Sequence, residues 1–300
     1  MGRRYDTISF LSDYGSDDEF AGIVKAVIAD LAPHARVIDL SHGIAPFDVL
    51  AGSLALARCI PYVPAGVVLA VVDPGVGTSR RAVAVEVAGG DGVLVGPDNG
   101  LLAPAVALAG GAERAVELTN AALHLQAPGA TFAGRDVFAP AAAHLCNGAD
   151  LAELGEIIDP GLLFPGVIPL PREEGGELIA EVLWVDRYGN CQLNVSPDDL
   201  ASLAATDRVR LTLVDALGHE RVRSAAVVGA FGDLGTAELG VVVDSFGLLA
   251  ICLDRASAAV ELGLAPGDRV VLGAPGDAPG DAVSSPVRLR SRAGDDAALA

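Results

Sequence analysis

The six residues Val67 to Val72 are apolar without interruption, and four of them are valine. A strand with one wet face alternates apolar and polar residues. An unbroken β-branched run instead fits a strand covered on both faces. The neighbouring sequence supplies the covering layers. Thr7–Leu11, Arg36–Leu40, Ala82–Val87 and Val93–Val95 read as further strands. Between the first two, Phe20, Ile23, Val24, Val27, Ile28 and Leu31 recur at helical spacing and Pro33 follows. Asp17 is expected to cap that helix, with Asp18 and Glu19 in its first turn. Val49–Ile60 reads as a second helix. The βαβ alternation predicts an α/β domain, a sheet flanked by helices.

The texture changes near Phe164. Phe164–Gly176 is rich in proline and glycine and carries an Arg-Glu-Glu run, as a linker would. Beyond it, Leu178–Val185, Arg208–Leu213, Val241–Val243, Leu248–Leu253 and Arg269–Leu272 are short strand-like runs separated by turn signals. The expected organisation is an α/β domain over 1–165, a linker over 166–177, a small all-β, barrel-like domain over 178–273 and a mobile tail over 274–300.

With 39 acidic against 20 basic residues the formal net charge is -19. An acidic surface repels nucleic-acid backbones and anionic membranes, so neither is an expected partner. Cys59, Cys146, Cys191 and Cys252 have no CxxC spacing, which argues against a zinc site or redox pair and for free thiols. No signal-peptide pattern or membrane-length apolar run is present, so the expected location is cytoplasmic. No His/Asp ligand cluster suggests a metal, which leaves a metal phosphoesterase as a weak option.

Four segments follow strand-like runs, where open α/β sheets place ligand sites. In Phe10-Leu-Ser-Asp13-Tyr-Gly15 the carboxylate can accept both hydroxyls of a vicinal diol such as a ribose, or merely shape a helix-entry turn. In Asp73-Pro-Gly-Val-Gly77-Thr-Ser-Arg80 a glycine-rich loop can return an arginine to a carboxylate, for catalysis or as a structural pair. Its spacing matches neither the P-loop nor the dinucleotide fingerprint. Asp98-Asn99-Gly100 is a strong turn signal. Ala133-Gly134-Arg135-Asp136 reads as a helix start. In the second half, Asp186-Arg-Tyr188-Gly-Asn190 is a polar turn able to grip an amino acid's charged head. Phe231 offers a face for a purine, worth roughly 0.5–1.5 kcal/mol beyond burial.

Taken in order with Asp39-Leu-Ser-His42, Ala45-Pro-Phe47-Asp48 and Ser245-Phe-Gly, these segments resemble the S-adenosylmethionine (SAM) hydroxide adenosyltransferases, relatives of the SAM-dependent fluorinase and chlorinase. The resemblance spans roughly residues 6 to 272. It implies an α/β domain followed by a β-rich domain, a homotrimer with active sites at subunit interfaces, and hydrolysis of SAM at C5′ to adenosine and methionine. SAM is then the substrate and no cofactor is needed. By the same resemblance Asp13 accepts the ribose diol. Phe47 and Asp48 belong to the ribose and methionine pocket. Asp186, Tyr188, Asn190 and Ser245 contact methionine and adenosine, and Phe231 stacks on adenine. Asp73 and Arg80 match two members of a water-activating Asp-Arg-His triad, Asp73 orienting the water and Arg80 holding Asp73.

Ala133 stands where the hydroxide-transferring relatives carry the third member, histidine. Loss of such a group typically costs ~10²–10⁴-fold, so a slow reaction is expected. Either this is an alanine introduced to probe the triad, or this branch works with Asp73 and Arg80 alone. His144 is expected to be structural, and His42 is a remote substitute. Halide transfer is a competing reading that Asp73 opposes: two like charges 4 Å apart repel by ~4 kcal/mol at an effective dielectric of 20. Gly134 leaves room compatible with an anion. A non-catalytic SAM or adenosine sensor is the other alternative, which the retained Asp73 and Arg80 oppose.

Overall fold

The computed structural model describes residues 5–203, 207–214 and 220–275. The expected tail over 274–300 lies almost entirely outside the described residues. The chain divides into two compact units, 1–168 and 169–300.

The first unit runs β1 (Thr7–Ser12), α1 (Phe20–Leu31), β2 (Arg36–Ser41), α2 (Val49–Cys59), β3 (Gly66–Val71), β4 (Ala82–Val87), β5 (Gly92–Pro97), α3 (Ala103–Leu108), β6 (Arg114–Glu117), α4 (Ala139–Cys146) and β7 (Glu156–Ile158). The strands form one sheet in the order β2-β1-β3-β5-β4-β6-β7. Its first four members are mutually parallel, and β4, β6 and β7 add antiparallel. The Val67–Val72 run is buried throughout, as its composition demanded. One face carries Ile8, Phe10, Leu69, Val71, Val93 and Val95 under α1 and α4. On the other, Gly52 of α2 lies so near Val72 and Leu101 that a Cβ there would overlap both. The expected Asp17 cap does not form. Helix α1 begins at Phe20, with Glu19 in the cap position making no side-chain bond. Its stability comes from packing Ala21, Val24 and Ile28 onto the sheet rather than from a cap.

The second unit runs β8 (Arg172–Glu174), β9 (Glu177–Val185), β10 (Cys191–Leu193), α5 (Pro197–Ser202), β11 (Arg208–Val214), β12 (Glu220–Val228), β13 (Leu239–Val243), β14 (Leu249–Leu253), α6 (Ala258–Leu262) and β15 (Arg269–Gly273). Following the pairings β9-β10-β14-β13-β12-β11-β15 and back to β9 closes a seven-stranded barrel, which removes open edges from the ring. Among the described residues of this unit, only β12 and β13 pair in parallel. The barrel is filled by Val182, Leu193, Val209, Leu211, Val241, Ile251 and Val270. Strand β8 lies within the stretch expected as linker and turns into β9 through Gly175 and Gly176, both at positive φ.

Candidate active site

Strand β1 has β2 on one side and β3 on the other, so the strand order reverses between β1 and β3. At such a switch point the loops leaving the strand ends diverge and open a crevice beyond their carboxyl ends. Asp13 starts the loop after β1, and Asp73 lies in the loop after β3. Two of the expected site carboxylates therefore flank the crevice. The Asp13 amide donates to the Val71 carbonyl at 3.3 Å, which ties the two strand ends together. Burial raises the Asp13 pKa above its ordinary value. Hydrogen bonding from the Phe47 amide opposes the rise, and the Asp73 charge adds to it.

That Phe47 amide reaches Asp13 Oδ2 at 2.9 Å. Phe47 has φ 70°, a left-handed conformation that costs a non-glycine residue of order 1–3 kcal/mol and tends to mark functional sites. Phe47 as a residue is 70% exposed. Asp48 caps α2, with Oδ1 accepting the Ala51 amide at 2.8 Å. The structure thus gives Asp48 a backbone task.

The loop from Asp73 closes on itself through Val76 N to Asp73 O at 3.2 Å and Thr78 Oγ1 to Gly75 O at 2.6 Å. Gly77 sits at φ 77°. The result returns Arg80 to Asp73. Nε donates to Oδ1 at 2.8 Å and a terminal guanidinium nitrogen donates to Oδ2, a bidentate fork. The Asp73 side chain is 6% exposed and that of Arg80 15%. The guanidinium lies over the buried Phe138 ring, 5.2 Å from its centre. Asp98 does parallel structural work, accepting from Arg81 Nε at 2.9 Å and from the Phe164 amide at 2.7 Å.

Residues Gly134–Phe138 form a π-helical turn leading into α4, with Ala133 at its head. Such turns recur at functional sites. Arg135 and Asp136 pair with each other, Nε to Oδ1 at 2.5 Å, while Arg135 lies over Phe132. The space left by Gly134 is not an open subsite. A Cβ there would overlap the Tyr14 hydroxyl. Tyr14 is wedged among Phe10, Phe20 and Phe132. Burial pushes its pKa up, and the charges of Asp13 and Asp73 push it further. Nothing in the chain pattern gives Tyr14 a role. Only the fold brings it against Gly134.

Ala133, Arg80, Gly77 and Asp136 line one cavity of about 380 Å³, together with His124 and Val137. No sequence signal marks His124, which sits in irregular chain after the 3₁₀ turn Ala121–Leu123, where no periodicity reports direction. His42 is committed elsewhere. Its Nδ1 meets Ser12 Oγ at 2.7 Å and its Nε2 meets Asp39 Oδ1 at 3.0 Å. Its carbonyl accepts the Gly15 amide at 2.8 Å, so it braces the Asp13 loop.

In the second unit, Tyr188, Asn190 and Phe231 line a cavity of about 640 Å³ with Arg255 and Ser257. Asp186 shapes it. Its Oδ1 accepts the amides of Tyr188 at 2.8 Å and Asn190 at 2.9 Å, and its Oδ2 accepts Asn190 Nδ2 at 2.8 Å. Gly189, at φ 86°, abuts Ser257 so tightly that a Cβ would overlap it. Tyr188 is 79% exposed, an aromatic face open to a ligand. Ser245 is not among the residues lining this cavity. It lies exposed in the β13–β14 turn that Asp244 stabilises by accepting the Phe246 amide at 2.8 Å.

A model of the SAM hydroxide adenosyltransferase N-terminal domain matches residues 8–155, and one of the C-terminal domain matches residues 180–271. The chain belongs to the SAM hydroxide adenosyltransferase family. Its family relatives include an (R)-S-adenosyl-L-methionine hydrolase of Salinispora tropica, 48% identical over 88% of this chain and 96% of the relative. Another protein of that name, from Thermus thermophilus, is 42% identical over 87% and 96%. A fluorinase of an Actinoplanes species is more distant, at 26% identity over 87% and 95%. Among solved structures, an uncharacterized conserved protein from Thermotoga maritima superposes with a TM-score of 0.79 at 36% identity, covering 89% of this chain and 99% of that one. Membership of the family accounts for the two-unit architecture. Among the described residues, no helix is long and apolar enough to cross a membrane.

Proposed function

We propose that this chain hydrolyses SAM at the ribose C5′ carbon to adenosine and L-methionine. The observation that carries the reading is the Asp73–Arg80 fork beside Asp13 at the β1/β3 crevice. The names of the Salinispora and Thermus relatives support it. The sulfonium is already a good leaving group and needs no acid. The water oxygen forms a bond to C5′ while the C5′–S bond breaks. Its electron pair stays on sulfur as the methionine thioether, and one proton is released. The protein's task is to hold that water in line and to hold the ribose, and such positioning supplies much of a rate enhancement. Asp73, its plane fixed by two guanidinium N–H groups, is the natural acceptor for a water hydrogen. Asp13 keeps one oxygen on the Phe47 amide and offers the other to a ribose hydroxyl. The Tyr188, Asn190 and Phe231 cavity supplies aromatic and amide groups suited to the nucleoside and amino acid. A homotrimer, a cytoplasmic location and independence of metals and cofactors belong to the same proposal. Four free cysteines support the location.

The test is incubation of the protein with SAM in the presence of EDTA, with adenosine and methionine quantified. Equal yields of both, lost on Asp73→Asn, are expected. SAM binding without adenosine would overturn hydrolysis in favour of a sensor. An Ala133→His variant is expected to be faster than the unsubstituted protein, and an unchanged rate would refute the view that Ala133 slows it. Sedimentation of the intact protein as a monomer would refute the trimer.

A further inference from the structure

The cavity against Arg80 is lined by an imidazole. His124 lines it together with Gly77, Arg80, Ala133 and Asp136. Arg80 is the residue whose guanidinium forks onto Asp73, so the cavity reaches the charged pair through Arg80, and Ala133 contributes only a methyl group to its lining. The main chain fixes the approach of His124: the amide of Leu125 donates to the Asp136 carbonyl at 2.9 Å, which pins the His124 turn onto the π-helical turn after Ala133. On its other side Asn120 holds the turn, its Nδ2 donating to the Glu153 carbonyl at 2.8 Å and its Oδ1 accepting the Ala122 amide at 3.2 Å. The ring itself is uncommitted. Among the described residues, His34 bonds the Cys146 carbonyl and His42 bonds Ser12 and Asp39, whereas no hydrogen-bond partner meets the His124 ring. A half-buried imidazole lining a cavity with room for water, beside a guanidinium and with neither nitrogen bonded among the described residues, is equipped to accept a proton from a bound water.

We propose that His124 supplies the proton-accepting imidazole of this site, from the cavity that Ala133 also lines. The proposal rests on the hydrolase reading above. As the water oxygen bonds to C5′ and the C5′–S pair departs onto sulfur, the water's proton passes to the neutral His124 ring and from there to solvent. The ring must be neutral to accept it. Burial lowers the His124 pKa below its ordinary 6.5, which favours that form at neutral pH. The charged and titratable groups on the surrounding elements are Arg80, the mutually paired Arg135 and Asp136, Glu153 below the turn, and His144 and Cys146 on α4, which packs against it.

The experiment compares pH–rate profiles for SAM hydrolysis by the intact protein, His124→Gln, His124→Ala with and without added imidazole, and the double variant His124→Gln/Ala133→His. In the unsubstituted protein kcat should fall on an acid limb below pH 6.5. In His124→Gln kcat should drop ~10²–10⁴-fold, the usual contribution of a general base, with the limb gone and KM changed by less than about threefold. Imidazole should restore part of the His124→Ala rate. The double variant should recover activity because it returns an imidazole to the same cavity from position 133. An unchanged kcat and limb in His124→Gln would overturn the proposal alone, as would a slow variant that keeps the limb and is not rescued. Absence of adenosine from the unsubstituted protein would overturn the hydrolase reading and this proposal with it.

Discussion

Removing Arg80 tests whether the Asp73 fork organises the site. In Arg80→Ala the Asp73 carboxylate, whose side chain is 6% exposed in the intact pair, stays at the crevice but loses both guanidinium N–H groups. The stack on the Phe138 ring disappears as well. Hydrogen bonds to charged groups contribute about 1.5–3 kcal/mol each, and breaking a buried pair by deleting one member costs about 3–5 kcal/mol because a charge is left uncompensated. Arg80 keeps some contact with solvent, so water can enter and the lower end of that range, about 3 kcal/mol, is expected. Urea unfolding followed by far-UV circular dichroism measures it. The double variant Asp73→Asn/Arg80→Ala leaves no orphaned charge and should be more stable than Arg80→Ala by about 1–2 kcal/mol. Activity should not follow stability: the double variant should be at least as inactive as either single one. If Arg80→Ala cost under 1 kcal/mol and the two substitutions were additive, the fork would be a surface pair, and the positional argument for Asp73 would fail.

Two further outcomes follow from the packing and the titrating groups. Gly134→Ala places a methyl group on the Tyr14 hydroxyl and should destabilise by about 1–3 kcal/mol, the usual range for overpacking; adding Tyr14→Phe should return part of it, and a neutral Gly134→Ala would show that the π-helical turn is not seated on Tyr14. His124 and His144 both have pKa values lowered by burial, so below pH 6.5 the unfolded chain binds protons that the folded chain resists. The melting temperature should therefore fall as pH drops from 7.5 to 5.5 at constant ionic strength and fall less in His144→Gln, whereas a flat profile across that window would contradict both burials.

Sequence periodicity carried the fold because burial is a face-by-face property. The Val67–Val72 run could only be interior, and the helical spacing of Val24 and Ile28 could only face a sheet. Strand β12 escaped because Arg221 and Arg223 alternate with half-exposed or exposed neighbours and leave little apolar signal; its place in the barrel is set by pairing with β11 and β13. The cap at Asp17 failed because capping preference is a local tendency of about 1 kcal/mol, which tertiary packing of α1 overrides. The site divides in the same way. Asp13 and Asp73 were legible since each follows a strand, and strand ends are where open sheets carry chemistry. Arg80 was legible because glycines between it and Asp73 force a return. Long-range neighbours left no such trace. Tyr14 meets Gly134 across more than a hundred residues, and His124 reaches the wall of the Arg80 cavity only because the Leu125 amide docks on Asp136. A missing histidine at position 133 therefore reads, in the chain, as a lost group. In the fold it is a cavity with another imidazole on its rim, and that difference is what the rate of His124→Gln decides.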